Sequence, residues 1–237
     1  MPRLLALVLA CLAVVAAGCG GDDAETAATP SPTASATATP EATATPEDTG
    51  GEQDSGCKPA AEPKPKHRRL PRPKQRLDPS KTYVATVLTN CGAFQITLDS
   101  MRAPRTGGSF KYLADKGFYD GLIFHRVVPG FVIQGGDPRG DGTGGPGYKI
   151  VEAPPESLSY GKGVVAMAKT ALEDAGTSGS QFFVVTGDAN SLPPDYALVG
   201  NVTSGQDVVD LIGVAPVGPD EKPLDPIVIK SVDVKED

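Results

Sequence analysis

Between Tyr83 and Val234 the chain is a succession of short β-branched and aromatic runs punctuated by turn residues, and only two stretches carry a helical period. Tyr83 to Thr89 and Ala93 to Asp99 alternate apolar and polar residues around Asn90-Cys91-Gly92, which predicts an opening hairpin. Phe124 to Val128 and Phe131 to Gln134 meet at the turn dipeptide Pro129-Gly130 and close on Gly135-Gly136, a second hairpin carrying one cation, Arg126. Further strand-like runs lie at Gly163 to Met167, Phe182 to Thr186, Ala197 to Val202 and Pro226 to Val234. Thr106 to Lys116 and Gln206 to Ile212 each gather apolar residues on one helical face. Many short strands with only two helices predict a mainly β domain, a closed antiparallel barrel capped by two α-helices.

This domain is expected over residues 78–237, and three segments of other composition precede it. Arg3, the apolar stretch Leu4 to Ala17 and the small pair Gly18-Cys19 read as a signal peptide over residues 1–18, too short to span a bilayer comfortably. Ala16-Ala17-Gly18 before Cys19 looks like a bacterial lipobox, which implies lipidation of Cys19 and a location on the extracytoplasmic face of the cell membrane; an ordinary secreted protein is the alternative. Residues 19–56 hold a doubled ATATPE unit, only acidic charges and almost no large apolar side chain, so a disordered tether is expected. Residues 57–77 reverse the charge: Lys58, Lys64, Lys66, Arg68, Arg69, Arg72, Lys74 and Arg76 stand against Glu62 alone. This basic, Pro-rich linker reads as a solvated spacer leaning toward polyproline II; contact with anionic lipid or wall polymer, or folding back on the tether or the domain, are the alternatives. Once Cys19 is lipidated, Cys57 and Cys91 are an even pair in an oxidising compartment, which makes a disulfide plausible and leaves two free thiols as the alternative.

The inventory of reactive groups is short. His67 lies in the linker and His125 is the only other histidine, so no histidine-rich metal site can form, and no metal cluster or cofactor motif is visible. If Arg126 faces a groove, its strand neighbour His125 points the other way and is structural. The run Gly140 to Gly147 lacks the Lys-Ser/Thr end of a phosphate loop and reads as a tight connection. With 13 Lys and Arg against 20 Asp and Glu from residue 78 onward, the domain has no nucleic-acid footprint.

Three blocks, FHRVVPGFVIQGGD from Phe124 to Asp137, GSQFF from Gly179 to Phe183 and LPPDYALVG from Leu192 to Gly200, together with VVAMA at Val164 to Ala168, resemble the cyclophilins in order and separation. That resemblance covers nearly all of Tyr83 to Val234. It implies an eight-stranded barrel with two helices and a peptidyl-prolyl cis-trans isomerase that needs no cofactor, here in a form resembling the bacterial secreted branch. Arg126 then matches the catalytic arginine, with Phe131 in the wall of the proline pocket and Gln134 orienting Arg126 and the substrate backbone. Val132, Gln181, Phe183, Leu192 and Tyr196 match further groove positions, and Gly142 and Ala168 line the neighbouring surface. Simple alternation cannot put Phe131 and Gln134 on one face, so a twist or bulge is required. Ser191 stands where the family often has tryptophan, Tyr196 where many members have histidine, and Lys169 where an asparagine is usual; Thr170 to Thr177 is an insertion. These departures bear on cyclosporin affinity and sequence preference more than on chemistry. The implied partners are Xaa-Pro segments of unfolded or exported proteins, met by a monomer. A proline-peptide binding module and an envelope interaction protein are the rival readings.

Overall fold

A computed structural model describes residues 56–237. The signal peptide, Cys19 and the tether expected up to residue 56 lie outside the described residues, apart from Gly56. The elements run β1 (Tyr83–Thr89), β2 (Ala93–Leu98), α1 (Pro104–Asp115), β3 (Leu122–Val128), β4 (Val132–Gly135), β5 (Ile150–Val151), β6 (Val164–Met167), β7 (Thr177–Ser178), β8 (Phe182–Val185), β9 (Leu198–Ser204), α2 (Gln206–Gly213) and β10 (Val228–Glu236). Eight strands close an antiparallel barrel in the order β1-β10-β3-β4-β8-β6-β9-β2, as the pattern of short runs predicts. The small pair β5-β7 was not anticipated, because two residues are too few to show a period. Among the described residues no helix is long and apolar enough to cross a membrane.

Local chemistry sets the element ends. At the first hairpin turn the N–H of Cys91 donates to Thr89 Oγ1 (3.0 Å) and the N–H of Thr89 to the Gly92 carbonyl (2.8 Å). Helix α1 starts two residues before the apolar pattern, at Pro104, whose fixed φ suits the first helical position and whose missing N–H costs nothing there. Its exposed N–H groups are met from a distance: the Glu152 carboxylate accepts from Arg105 N–H (3.1 Å) and Thr106 N–H (2.6 Å). Negative charge is favoured at that end of a helix.

Alternation along β8 sorts the apolar residues into two clusters. Phe182 and Val184 join the barrel's inner cluster, with Phe94, Phe110, Phe124, Ile133 and Val165. Phe182 meets Phe110, Tyr119 and Phe124 edge-on at centroid distances of 5.6, 5.6 and 5.9 Å, the geometry aromatic quadrupoles prefer. Phe183 and Val185 belong instead to an outer cluster with Val132, Tyr160, Val164, Ala166 and Leu198.

The basic segment at 57–77 is not a solvated spacer. Of the alternatives, the structure has the segment folded back on the domain, as a strap anchored at both ends and between. Cys57 is disulfide-bonded to Cys91, so the even pair is closed. Backbone N–H groups of Lys58, Lys66, Leu70 and Leu77 donate to the carbonyls of Asn90, Pro138, Pro146 and Pro104, at 2.9, 2.6, 2.9 and 2.9 Å. Leu77 is buried in the inner cluster and Leu70 packs against it. Composition hid this because the anchoring contacts are made largely by backbone groups and two leucines, spaced among fourteen charged or proline residues that dominate any average.

Candidate active site

Arg126 reaches the outer face through an irregularity in β3. Phe124 pairs with Gly135 and Arg126 with Gln134, so residues two apart on β3 face adjacent residues of β4. Such a bulge at His125 reverses the alternation: Phe124 and Val127 both point into the inner cluster, three residues apart, and Arg126 does not. From there the register is regular. Arg126 faces Gln134, Gln134 faces Phe183, and Phe183 faces Ala166, a single row across β3, β4, β8 and β6. The next row, Val128, Val132 and Val185, is apolar. Phe131 joins this face without belonging to the strand, since β4 begins only at Val132. It sits in the turn, its N–H donating to the Val128 carbonyl (3.0 Å) and its own carbonyl accepting from Thr186 N–H (2.9 Å). The problem that alternation raised for Phe131 and Gln134 is thereby resolved.

Leu192, Tyr196, Phe131 and Ala168 pack, partly exposed, against the outer cluster. Phe183 and Tyr196 are edge-on at 5.4 Å, and Tyr160 closes an aromatic triad at 5.9 Å from Tyr196 and 6.2 Å from Phe183. Tyr160 was not anticipated. Its hydroxyl donates to the Tyr196 carbonyl (2.6 Å) and accepts from the Tyr196 N–H (2.9 Å), fixing that backbone from both sides. Burial raises its pKa to about 12, against the opposing effect of the bond to Tyr196, so it stays a donor at any physiological pH. No periodic signal could have selected it.

Gln134 does not bond Arg126, contrary to the role expected of it. Its Nε2 donates to Gln181 Oε1 (3.0 Å), and Gln181 Nε2 in turn donates to the carbonyls of Gly142 and Gly144 (both 2.9 Å). The two glutamines thus tie the row to the 140–147 loop. That loop is folded around the buried Asp137 carboxylate, which accepts from the N–H groups of Arg139 (2.8 Å), Asp141 (3.2 Å) and Gly142 (2.6 Å).

Arg126 is held by Glu221, a residue no sequence signal picked out. Arg126 Nε lies 2.5 Å from Glu221 Oε2, and the Glu221 carbonyl accepts from the Val127 N–H (2.8 Å), so the acid is fastened beside the arginine twice. Glu221 is the one described non-glycine residue with positive φ, 63°. A glutamate held in that sparsely populated region signals a local demand that outweighs backbone preference. The contact occupies Nε and leaves both terminal nitrogens of the guanidinium without a hydrogen bond among the described residues.

His125 is buried, and neither ring nitrogen has a partner. Burial lowers its pKa, Asp137 pulling the other way, so the ring is neutral in the folded protein at pH 7. It lies outside the row. Among the described residues no group of three or more His, Cys, Asp or Glu could hold a metal ion. Beside the row opens a cavity of about 1180 Å³, lined by Gln134 of the row and by Gly142, Ala168 and Gln181.

The likenesses to other proteins point to one family. Residues 84–234 match the family model described as cyclophilin type peptidyl-prolyl cis-trans isomerase/CLD. Peptidyl-prolyl cis-trans isomerase A of Mycobacterium tuberculosis is 37% identical over 174 residues, covering 66% of this chain and 94% of the relative. Peptidyl-prolyl cis-trans isomerase B of Streptomyces anulatus is 39% identical over 171 residues, 64% of this chain and 95% of that protein. A crystal structure of a Cryptosporidium parvum cyclophilin type peptidyl-prolyl cis-trans isomerase superposes with a TM-score of 0.61 at 31% identity, over 65% of this chain and 98% of that one. The same protein, in the presence of the dipeptide Ala-Pro, gives 0.60 at 32% identity, over 64% and 98%. With its family match spanning the barrel from β1 to β10, this chain belongs to the cyclophilin-type peptidyl-prolyl cis-trans isomerases.

Proposed function

We propose that this isomerase acts as a monomer on Xaa-Pro bonds of proteins exported across a bacterial cytoplasmic membrane, held at the extracytoplasmic face by lipid on Cys19. The observation that carries the catalytic part is the row from Arg126 to Ala166, with a cation at one end and an apolar, aromatic wall at the other.

Rotation about a prolyl bond is slow because amide resonance must be broken, a barrier of roughly 18 to 20 kcal/mol. In the twisted state the nitrogen loses conjugation and becomes able to accept a hydrogen bond that the planar amide cannot. Phe131, Val132, Phe183, Leu192 and Tyr196 would grip the proline ring, Gln134 and Gln181 would orient the substrate backbone, and Gly142 and Ala168 would line its continuation. Arg126 would then present its terminal N–H groups to the prolyl nitrogen and carbonyl. A donor pre-positioned by Glu221 favours the twisted form over either planar isomer, which is what accelerates the step. No bond is made or broken, and no cofactor enters this scheme.

Arg126→Ala is expected to lower kcat/KM on a short Xaa-Pro peptide by about 10²- to 10³-fold with an unchanged circular dichroism spectrum. Lys at that position should rescue poorly, because an ammonium lacks the planar fork. Near-normal turnover by a folded Arg126→Ala protein would overturn the mechanism, and peptide binding without turnover by the unmodified protein would favour a binding module. The location rests on the leader and the residues before Cys19. Cys19→Ala should abolish lipid labelling and release the chain from the membrane fraction; undiminished labelling would place the anchor elsewhere.

A further inference from the structure

We propose that the cavity beside the catalytic row selects proline-containing chains bearing an acidic side chain a few residues from the proline, with the basic strap and the facing loops supplying the selecting charge. This rests on the isomerase reading and adds a substrate class to it.

The strap is built into the cavity wall. Its backbone bonds from Lys66 to Pro138 and from Leu70 to Pro146 stretch residues 67–69 across the 138–147 loop between two fixed points. His67, Arg68 and Arg69 line the cavity there, together with Lys169 and with Thr170 and Glu173 of the inserted loop. Gln134 and Gln181, which would orient the substrate backbone, also line this cavity. A chain held at its proline advances by about 3.3 Å per residue when extended, so a side chain one to three residues away falls within reach of this space.

Charge in the cavity is one-sided. Lys66, Arg68, Arg69, Arg139, Lys149 and Lys169 line it, against the single carboxylate of Glu173, and since the charged ends of Lys66 and Arg68 turn to carbonyls of residues 116–120 outside the lining, Arg69 and Arg139 carry the unpaired charge that faces it. Most of this charge has no acid to neutralise it. Lys66 Nζ donates to the Asp120 carbonyl (2.6 Å), Arg68 to the carbonyls of Gly117 and Lys116, and Arg139 to Thr143 Oγ1 (3.1 Å), all neutral acceptors. Only Lys149, paired with Glu173, and Lys169, 3.7 Å from Asp195, have acidic partners. Arg69 is the clearest case. Its stem lies over Gly147, where φ is +89° and a Cβ would come within 3.2 Å of Arg69 Cβ, and its guanidinium has no ion pair among the described residues. The chain as a whole has a net charge of −7, so this concentration runs against the overall composition. A concave site lined by one sign of charge focuses its field on whatever enters, here favouring a carboxylate.

The test uses the full chain and a series of proline peptides with Glu or Lys at each neighbouring position in turn. At the best position and low ionic strength, kcat/KM for the Glu peptide should exceed that for the Lys peptide by about three- to tenfold, the yield of one to two partly exposed ion pairs, and salt should erase the preference. In Arg69→Glu/Arg139→Glu the ratio should fall to one or invert, and Arg139→Gln alone should lower it. Turnover with a Glu-to-Lys ratio of one at every position would overturn the inference and leave the isomerase reading standing. Absence of turnover on all peptides would sink the isomerase reading, and calorimetric titration of the same peptides would then decide the charge preference by itself. Tight binding to phosphatidylglycerol vesicles without any peptide preference would assign the strap to a membrane surface and overturn the proposal.

Discussion

Phe182 and Phe183 are adjacent in β8, equally aromatic and both buried, yet they serve different parts of the molecule. Phe182 is enclosed by the rings of Phe110, Tyr119 and Phe124 in the barrel interior. Phe183 stands in the row that begins at Arg126, edge-on to Tyr196. The inner face needs only volume and apolarity, and any strand of the right period supplies them. The outer face needs particular groups at particular rungs, and it obtains them by interrupting the period at His125.

The sharpest way to break this contrast is to truncate each ring. Phe182→Ala should lower the free energy of unfolding in denaturant by about 3 to 5 kcal/mol, because its cavity is sealed on every side. Phe183→Ala should cost less stability but lower kcat/KM about tenfold or more, chiefly through KM, as the groove loses part of its apolar wall. Equal profiles for the two variants would erase the distinction between the faces.

A second comparison sets Arg126 against the acid that holds it. Glu221→Ala should reduce kcat/KM about tenfold by freeing the guanidinium, whereas Glu221→Gln, which keeps an acceptor for Nε, should retain most of the rate. A folded Glu221→Ala enzyme with undiminished kcat/KM would show that the arginine is oriented without it.

The smallest effect expected is at His125, on the bulge itself. Burial holds the folded imidazole below its ordinary pKa, so as pH falls through about 6.5 the unfolded chain takes up the proton first. Stability should therefore be constant above that pH and decline below it until the lowered folded value is reached. His125→Leu should flatten this part of the pH profile of the unfolding free energy; an unchanged slope would place the titrating group elsewhere.

Legibility in the sequence followed the same division. The first hairpin, the β8 and β9 runs and both helices could be read because alternation or a helical face is a local property of a few adjacent residues. Arg126, Phe183 and Gln181 were found through motif blocks, not through periodicity. Glu221 escaped because its partnership spans 95 residues and is made by a turn whose composition resembles any other. Tyr160 escaped because a single aromatic outside a strand pattern has no periodic signature. The expectation that Gln134 orients Arg126 came from analogy; facing each other in register, the two side chains nonetheless take different partners.

The strap holds five prolines, at 59, 63, 65, 71 and 73, between anchor carbonyls contributed by residues as far apart as Asn90 and Pro146. Its docking surface exists only after the barrel has assembled. Each Xaa-Pro bond in a newly made chain populates the wrong isomer to some extent and corrects itself over tens to hundreds of seconds at 25 °C. If docking of the strap waits on these bonds, its closure is paced by the rotation that a peptidyl-prolyl isomerase accelerates, and a completed molecule would help the next copy. Strap closure should consequently show autocatalysis: an initial lag that shortens when mature protein is added as seed.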